Sequence, residues 1–331
     1  LSASPQAQFG ISISCYRGDL FLLKGCLNSI RQFIPDIPIS LIKHGSFDTD
    51  RLCEFYDATA VEQYEVNPRL AAHSYGYGLT KMVAFWHSPF ERFLHIDPDA
   101  VCWGDILEDL PWRDHDFIYN EPHEEITPYI QRTQYFDPVL VSPHYPDIPW
   151  KGQPFFNTGI FSARRGILDL DEYLDLLEFQ RRVPGSFFTD QGPLNAMVFR
   201  QVAQGRLDAR PWPLQAVVPV ITVEQLEQRF RFARGNPVVR HDDRRLIHWA
   251  GVKPMVSRPT AFDAPMTHYR LRHLSKVRPF GLIAGRLTLA LEEFHTRVRA
   301  RYGGNYFRAG ISKARHFIRR AQRRSGLGEP A

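Results

Sequence analysis

The sequence predicts an α/β protein: an open, mostly parallel sheet flanked by helices, followed by a basic helical tail. Three observations carry this. A buried-strand pattern, a helical pattern and a second strand pattern follow one another at the start. A later apolar run, "RFLHIDPDAV", stops abruptly on Asp97 and Asp99. The last sixty or so residues are strongly basic where the rest is acidic.

The first strand is "FGISISCY", which alternates and is rich in β-branched residues; "LFLLKGCLNSIRQFI" follows with helical periodicity, and "IPISLIKHG" is the next strand. Strand, helix and strand with short connections make a parallel pair with a right-handed crossover. A helix is expected from about Leu79, with Leu79, Met82, Val83 and Trp86 on one side, and then "RFLHIDPDAV" as the third strong strand. Asp97 and Asp99 therefore sit at the carboxyl end of a strand, where open α/β sheets bind ligands.

Composition narrows the class. With 331 residues, 44% of them hydrophobic, the chain can bury a large core. No fixed-period repeat or long low-complexity segment argues for a solenoid or for disorder. The four cysteines, Cys15, Cys26, Cys53 and Cys102, have neither zinc spacing nor a disulfide framework, so reduced thiols and a cytoplasmic setting are expected. No stretch reaches the ~20 apolar residues of a membrane span, and the start has no basic-then-apolar leader.

The net charge of +5 conceals an asymmetry: from Tyr269 onward fifteen Lys and Arg face three Glu, or +12, which leaves −7 for the residues before it. Within the tail Leu287, Leu291, Phe294 and Val298 recur at helical spacing, Gly303 and Gly304 separate a second helix, and Phe307, Ile311, Phe317 and Ile318 lie among arginines. A basic amphipathic helix suits an anionic membrane surface, where each Lys or Arg near the surface adds about 1 kcal/mol; a solvated helix packed on the domain is the alternative. Nucleic acid ranks lower, because the charge is terminal and no binding motif accompanies it.

Two carboxylates one residue apart at a strand end can converge on a hard cation and leave positions for phosphate oxygens, with Mg²⁺ or Mn²⁺ the natural occupant. Asp-Pro-Asp also writes a turn. Three further polar clusters on apolar runs follow in order: "FFNTGIF" (155–161), "FFTDQGPLN" (187–195) and "LIHWAGVKP" (246–254). With the early Leu79, Thr80, Lys81 and Trp86, this ordered set resembles the family 8 retaining glycosyltransferases, the group of glycogenin and the bacterial lipooligosaccharide galactosyltransferases. The resemblance covers roughly residues 9–255 and implies a GT-A fold; with the basic tail read from its charge, the expected organisation is a catalytic domain over 9–268 and a basic helical extension over 269–331.

The resemblance also implies roles. Asp97 and Asp99 hold a divalent ion, Mn²⁺ or Mg²⁺, on the diphosphate of a nucleotide-sugar donor, His248 is a third ligand, and Lys253 contacts the phosphates. Lys81 helps hold the donor, Asn157 and Asp190 line the sugar pocket, and Gln191 or Asp190 faces the anomeric carbon. The donor is a UDP-sugar by resemblance only, and the acceptor is a carbohydrate or glycosylated molecule. Each residue has a plainer alternative: His248 as a core histidine, Lys253 as an exposed loop cation, Asn157 and Gly159 as a turn.

Departures from the family pattern are Pro98 between the aspartates, Met255 where a tryptophan commonly follows the Lys-Pro pair, and "SCYRGD" (14–19) in the nucleotide-facing segment. The segment from Asn120 to Pro154, with seven prolines and several aromatics, is the candidate for acceptor contacts. "HEE" (123–125) lacks the second histidine of a zinc protease, and "HGSFDTD" (44–50) and "HDD" (241–243) read as solvated turns. Two rival functions remain: a noncatalytic carbohydrate- or membrane-binding module on the same fold, and a sugar-nucleotide nucleotidyltransferase, whose early glycine-rich loop is missing from "SISCYRGDLF".

Overall fold

The computed structural model describes residues 8–62, 67–72, 77–122, 126–240, 245–277 and 282–302. Its first unit is the strand, helix and strand read from the sequence. β1 (Phe9–Tyr16) pairs in parallel with β2 (Ile39–His44), and α1 (Leu20–Phe33) crosses between them. Ile11, Ile13, Leu23, Leu27, Ile30 and Leu41 meet in one cluster, which explains the apolar stripe of α1 and the near-continuous burial of β1. "HGSFDTD" leads into α2 (Asp50–Tyr56): Phe47 and Thr49 are buried, and the exposed Asp48 accepts the Asp50 N–H at 2.9 Å. β3 (Ala58–Glu62) then adds a half-exposed edge to β2.

The expected helix from Leu79 is a tight 3₁₀ segment, Tyr77–Val83, continued by the short helix Ala84–His87, with Met82, Val83 and Phe85 buried. "RFLHIDPDAV" is two strands in two different sheets. β4 (Arg92–Ile96) joins β1 in parallel, while β5 (Ala100–Cys102) leaves for a second sheet. The corner between them is a turn in which the Ala100 N–H donates to the Asp97 carbonyl at 3.1 Å. Pro98 takes the second position of that turn, where its fixed φ is favoured and its missing N–H costs no ladder bond.

β6 (Phe117–Asn120), β7 (Ile160–Arg164) and β8 (Ala209–Trp212) complete the main sheet in the order β3-β2-β1-β4-β7-β6-β8; it is parallel except where β7 runs against both neighbours. α3 (Leu170–Arg182) and α4 (Gln191–Ala203) cover the face opposite α1. The core there is aromatic: Phe161 is fully buried with Phe85 stacked on it at 5.4 Å, Phe117 at 5.6 Å and Phe93 edge-on at 6.2 Å. β9 (Gln215–Val218), a two-residue ribbon of β10 (Phe232–Ala233) and β11 (Asn236–Pro237), and β12 (Leu246–Trp249) follow. The second sheet has the order β5-β12-β9.

α5 (Ala264–Val277) and α6 (Leu282–Tyr302) close the described chain. The division expected at 268/269 falls inside α5, which is packed on α1: the Asn28 amide donates to the Tyr269 carbonyl at 2.9 Å, and Lys276 donates to the Asn28 side chain at 2.8 Å. The expected stripe on α6 divides, because Val298 is buried while Leu287, Leu291 and Phe294 are exposed; Gly285, Leu289, Glu293 and Thr296 are the other buried residues described on it. The tail from Gly303 on, "HEE" and "HDD" lie outside the described residues. No described helix is long and apolar enough to cross a membrane.

Replacing Phe161 with Ala removes the centre of the aromatic stack, and such truncations cost about 3–5 kcal/mol. Urea unfolding of Phe161→Ala is expected to show a loss in that range. A loss below about 1 kcal/mol would mean the stack contributes little.

Candidate active site at the carboxyl ends of β1 and β4

The chain leaves β1 toward β2 on one side, and β4 lies on the other, so the strand order reverses between them. A crevice opens at such a switch point. Here it is a cleft of about 750 Å³, entered by the end of β1, the Asp97–Asp99 corner, the Asn157–Gly159 turn before β7, the start of α4 and the loop after β12. All eight residues singled out in the sequence as donor, metal or catalytic groups line it.

Asp97 is held from several directions. Its N–H donates to the Gly159 carbonyl at 2.9 Å, Lys81 Nζ lies 2.9 Å from Oδ2, and His95 Nε2 lies 3.0 Å from Oδ1. Lys81 also reaches Asp190 Oδ2 at 3.3 Å and the Thr158 carbonyl at 3.2 Å. Burial alone would push the Asp97 carboxyl up; the Lys81 ammonium and the His95 hydrogen bond instead hold it well below the usual carboxylate range. Burial likewise disfavours the Lys81 ammonium, but Asp190 and Asp97 more than offset this and raise it.

Asp99 faces the other wall. Its carbonyl accepts from the Trp249 N–H at 3.0 Å, which ties the corner to β12, and its carboxylate is hydrogen-bonded to Lys253. Burial pushes Asp99 up, yet Lys253 and the His248 hydrogen bond bring it down to about 2. His248 stands opposite Ala100 in the β12–β5 register, with Nε2 3.5 Å from Asp99 Oδ1 and 3.8 Å from Asp97 Oδ2. Its ring lies over Gly159: a Cβ there would sit 2.1 Å from His248 Cε1. Glycine is required at 159 by this close approach. Gly251, at φ +81°, lets the loop turn so that Lys253 returns over Asp99.

The third wall is a hydrogen-bonded amide network. Thr158 Oγ1 donates to Asp190 Oδ2 at 2.7 Å; Asn157 Nδ2 donates to Gln191 Oε1 at 3.2 Å; and Gln191 Nε2 donates to the Gln134 carbonyl at 3.0 Å. Asn195, one turn along α4, clamps Phe156 by bonds to both its N–H and its carbonyl at 3.0 Å. Thr189, just before Asp190, has φ +47°, an outlier for a β-branched residue and a form of backbone strain found at functional sites.

Sequence reasoning missed several groups that share the cleft wall or brace it. His95 reads as an ordinary strand residue, although it braces Asp97 and stacks on Phe161 at 4.9 Å. Asp19, buried at the end of the flagged "SCYRGD" segment, lies 3.8 Å from Lys253 Nζ. Thr158 and Gln215 fasten the Asn157 turn. Asp19 had a signal in its place after the first strand, and Thr158 in its place within "FFNTGIF".

Asp97, Asp99 and His248 each offer a ligand atom, all within 4.8 Å of one another, and they are the one such group among the described residues. Two carboxylates and an imidazole, with no thiolate, suit a hard or borderline divalent cation. His248 Nδ1 has no partner among the described residues, so its side of the ring does not constrain which nitrogen carries the proton.

Burial pushes the Asp19 carboxyl from 3.8 up to about 7, with Asp99 and Asp97 adding to the rise against the pull of Lys253. A carboxyl raised in the folded state contributes stability that is full below its unfolded value and lost as pH rises through about 7. In metal-free buffer, the Tm of Asp19→Asn should therefore gain on that of the wild type between pH 5 and pH 8. A gap that stays constant would contradict the burial of an ionisable Asp19.

No protein-family model matches the chain, and no curated protein matches it. Among solved structures it is similar to the galactosyltransferase LgtC in complex with donor and acceptor sugar analogs, with a TM-score of 0.53 and 13% identity over 84% of this chain and 99% of that one. It is also similar to the apo form of the bifunctional glycosyltransferase WbbM, with a TM-score of 0.53 and 12% identity over 82% of this chain and 50% of that one. At such identities the likeness is one of fold, and the fold is the GT-A fold of glycosyltransferases, as the sequence resemblance implied.

Proposed function

We propose that this chain is a glycosyltransferase that moves a sugar from a nucleotide-diphosphate donor to a carbohydrate or glycosylated acceptor with the help of a divalent cation. The convergence of Asp97, Asp99 and His248 at the β1/β4 switch point, with Lys81 and Lys253 on either side, carries this reading. The GT-A fold supports it. Asp97, Asp99 and His248 would hold Mn²⁺ or Mg²⁺, which when bound supplies positive charge beside the departing diphosphate. Lys253 adds a cation to the same oxygens, and stabilising charge where it develops is commonly the largest catalytic contribution.

Lys81 holds Asp97 as a carboxylate and, reaching Asp190 as well, orients both. Asn157 and Asp190 line the sugar pocket, and Gln191 presents its amide to the anomeric carbon. That amide is fixed by Asn157 and the Gln134 carbonyl. An amide is a poor nucleophile, which favours transfer on the same face of the sugar, with retention. A UDP-sugar is the donor we favour, from the family resemblance. The acceptor surface continues along Gln131–Tyr135 to a groove of about 760 Å³ that includes Gln131, Arg132, Trp150 and Lys151. The Gln191–Gln134 bond joins that surface to the cleft.

Incubation of nucleotide sugars with the protein and Mn²⁺ or Mg²⁺ is expected to release nucleoside diphosphate, and Asp99→Ala should lower the rate by about 100-fold or more. Donor binding without release in the wild type would instead make the chain a binding module. Silence toward every donor, in binding and in release, would remove the glycosyltransferase reading.

The basic tail and the exposed Leu287 and Leu291 of α6 support a peripheral position at the anionic, cytoplasmic face of a membrane. Deleting the residues after Arg301 should weaken binding to anionic liposomes while leaving release from soluble donor intact. Unchanged liposome binding would contradict this role.

A further inference from the structure

Lys253 stands in the middle of a short bridge. The bridge leaves β12 at Trp249, whose N–H is bonded to the Asp99 carbonyl at 3.0 Å, turns at Gly251, and reaches Val256 and Ser257. At that far end both backbone N–H groups donate to one carboxylate, Glu293 of α6: Val256 to Oε1 and Ser257 to Oε2, each at 2.9 Å. Glu293 is fully buried. Arg270 of α5, 1% exposed, binds the same carboxylate through Nη1 at 2.5 Å.

A buried charge pair is costly unless further hydrogen bonds complete it. Here the carboxylate is completed by those two loop N–H groups, while Arg270 Nη2 also reaches the Leu289 carbonyl and Glu292 Oε2, each at 3.4 Å. The same helix supports the facing wall: α6 packs against the Arg17–Asp19 turn, and Glu292 pairs with Lys24 of α1. The two segments that bring Asp19 and Lys253 together are thus fastened to one helix that is itself remote from Asp97 and Asp99 in sequence.

We propose that Glu293 is a positioning residue: with Arg270 it anchors the loop that holds Lys253 over Asp99, and so makes diphosphate recognition depend on α6. The recognition part rests on the donor-binding reading above. Glu293 touches no reacting atom; it fixes where the Lys253 ammonium can go, and displacements of about 1 Å in such groups can cost up to 100-fold.

The test uses Glu293→Gln in the full chain, with two readouts. Backbone amide exchange over residues 251–257 should quicken at least about tenfold, while far-UV circular dichroism and exchange in β1 and β4 stay unchanged. Calorimetry with uridine diphosphate and Mn²⁺ should show affinity reduced about tenfold. Lys253→Ala should then cost much less in the Glu293→Gln background than in the wild type, since residues acting as a unit are not additive.

Unchanged exchange in the loop, or full additivity with Lys253→Ala, would overturn the proposal. If the wild type binds no uridine diphosphate, the donor reading fails instead, and loop exchange still decides whether Glu293 anchors the loop. Should Glu293→Gln fail to fold, Arg270→Met with Glu293→Gln removes both charges together and leaves no orphaned ion; the same exchange and affinity changes are expected of it.

Discussion

Everything in the cleft depends on how three carboxylates, those of Asp97, Asp99 and Asp190, are packed into one small space. Like charges so close would ordinarily drive one another to take up protons, and burial would add to the pressure. Two lysines counter this: the buried Lys81 bridges Asp97 and Asp190, and the partly exposed Lys253 covers Asp99. Asp19 marks the limit of the arrangement. It shares Lys253 at 3.8 Å and is pushed up to about 7, whereas Asp97, with Lys81 at 2.9 Å, and Asp99, with Lys253 on its carboxylate, are held low.

The second constraint is the corner at Pro98. A strand that continued through Asp97 and Asp99 would send both side chains to one face of a single sheet. The turn breaks the run, passes the chain from β4 to β5, and so brings both carboxylates to the seam between two sheets. β12 supplies His248 from the far side of that seam, and β7 supplies the Asn157–Gly159 turn. Pro98, which departs from the usual family triplet, is therefore accounted for by the geometry of the turn.

Much of the fold was legible because burial writes periodicity into sequence. β1, α1, β2 and β4 each bury enough apolar side chains to show a clear pattern, and the two aspartates were placed at a strand end on that basis. β3 was missed because "ATAVE" is a half-exposed edge. The sheet β5-β12-β9 was missed because strands of three or four residues carry too little pattern. The site was less legible. That Lys81 would meet Asp190, or that His248 would meet Asp99, follows from pairings across more than a hundred residues, and only the ordered set of motifs pointed to them. His95 and Glu293 left no sequence signal, since a histidine in a strand and a glutamate in a basic helix look ordinary until their partners are known.

The central claim is that Asp97, Asp99 and His248 act together as a cation site for a diphosphate. Calorimetric titration of uridine diphosphate into wild type and His248→Ala, with and without Mn²⁺, tests it most directly. The account predicts binding to the wild type that depends on Mn²⁺ and is weakened by about 10- to 100-fold in the variant, the scale on which metal sites respond to loss of a supporting group. Equal binding with and without Mn²⁺, unaffected by loss of the imidazole, would contradict it.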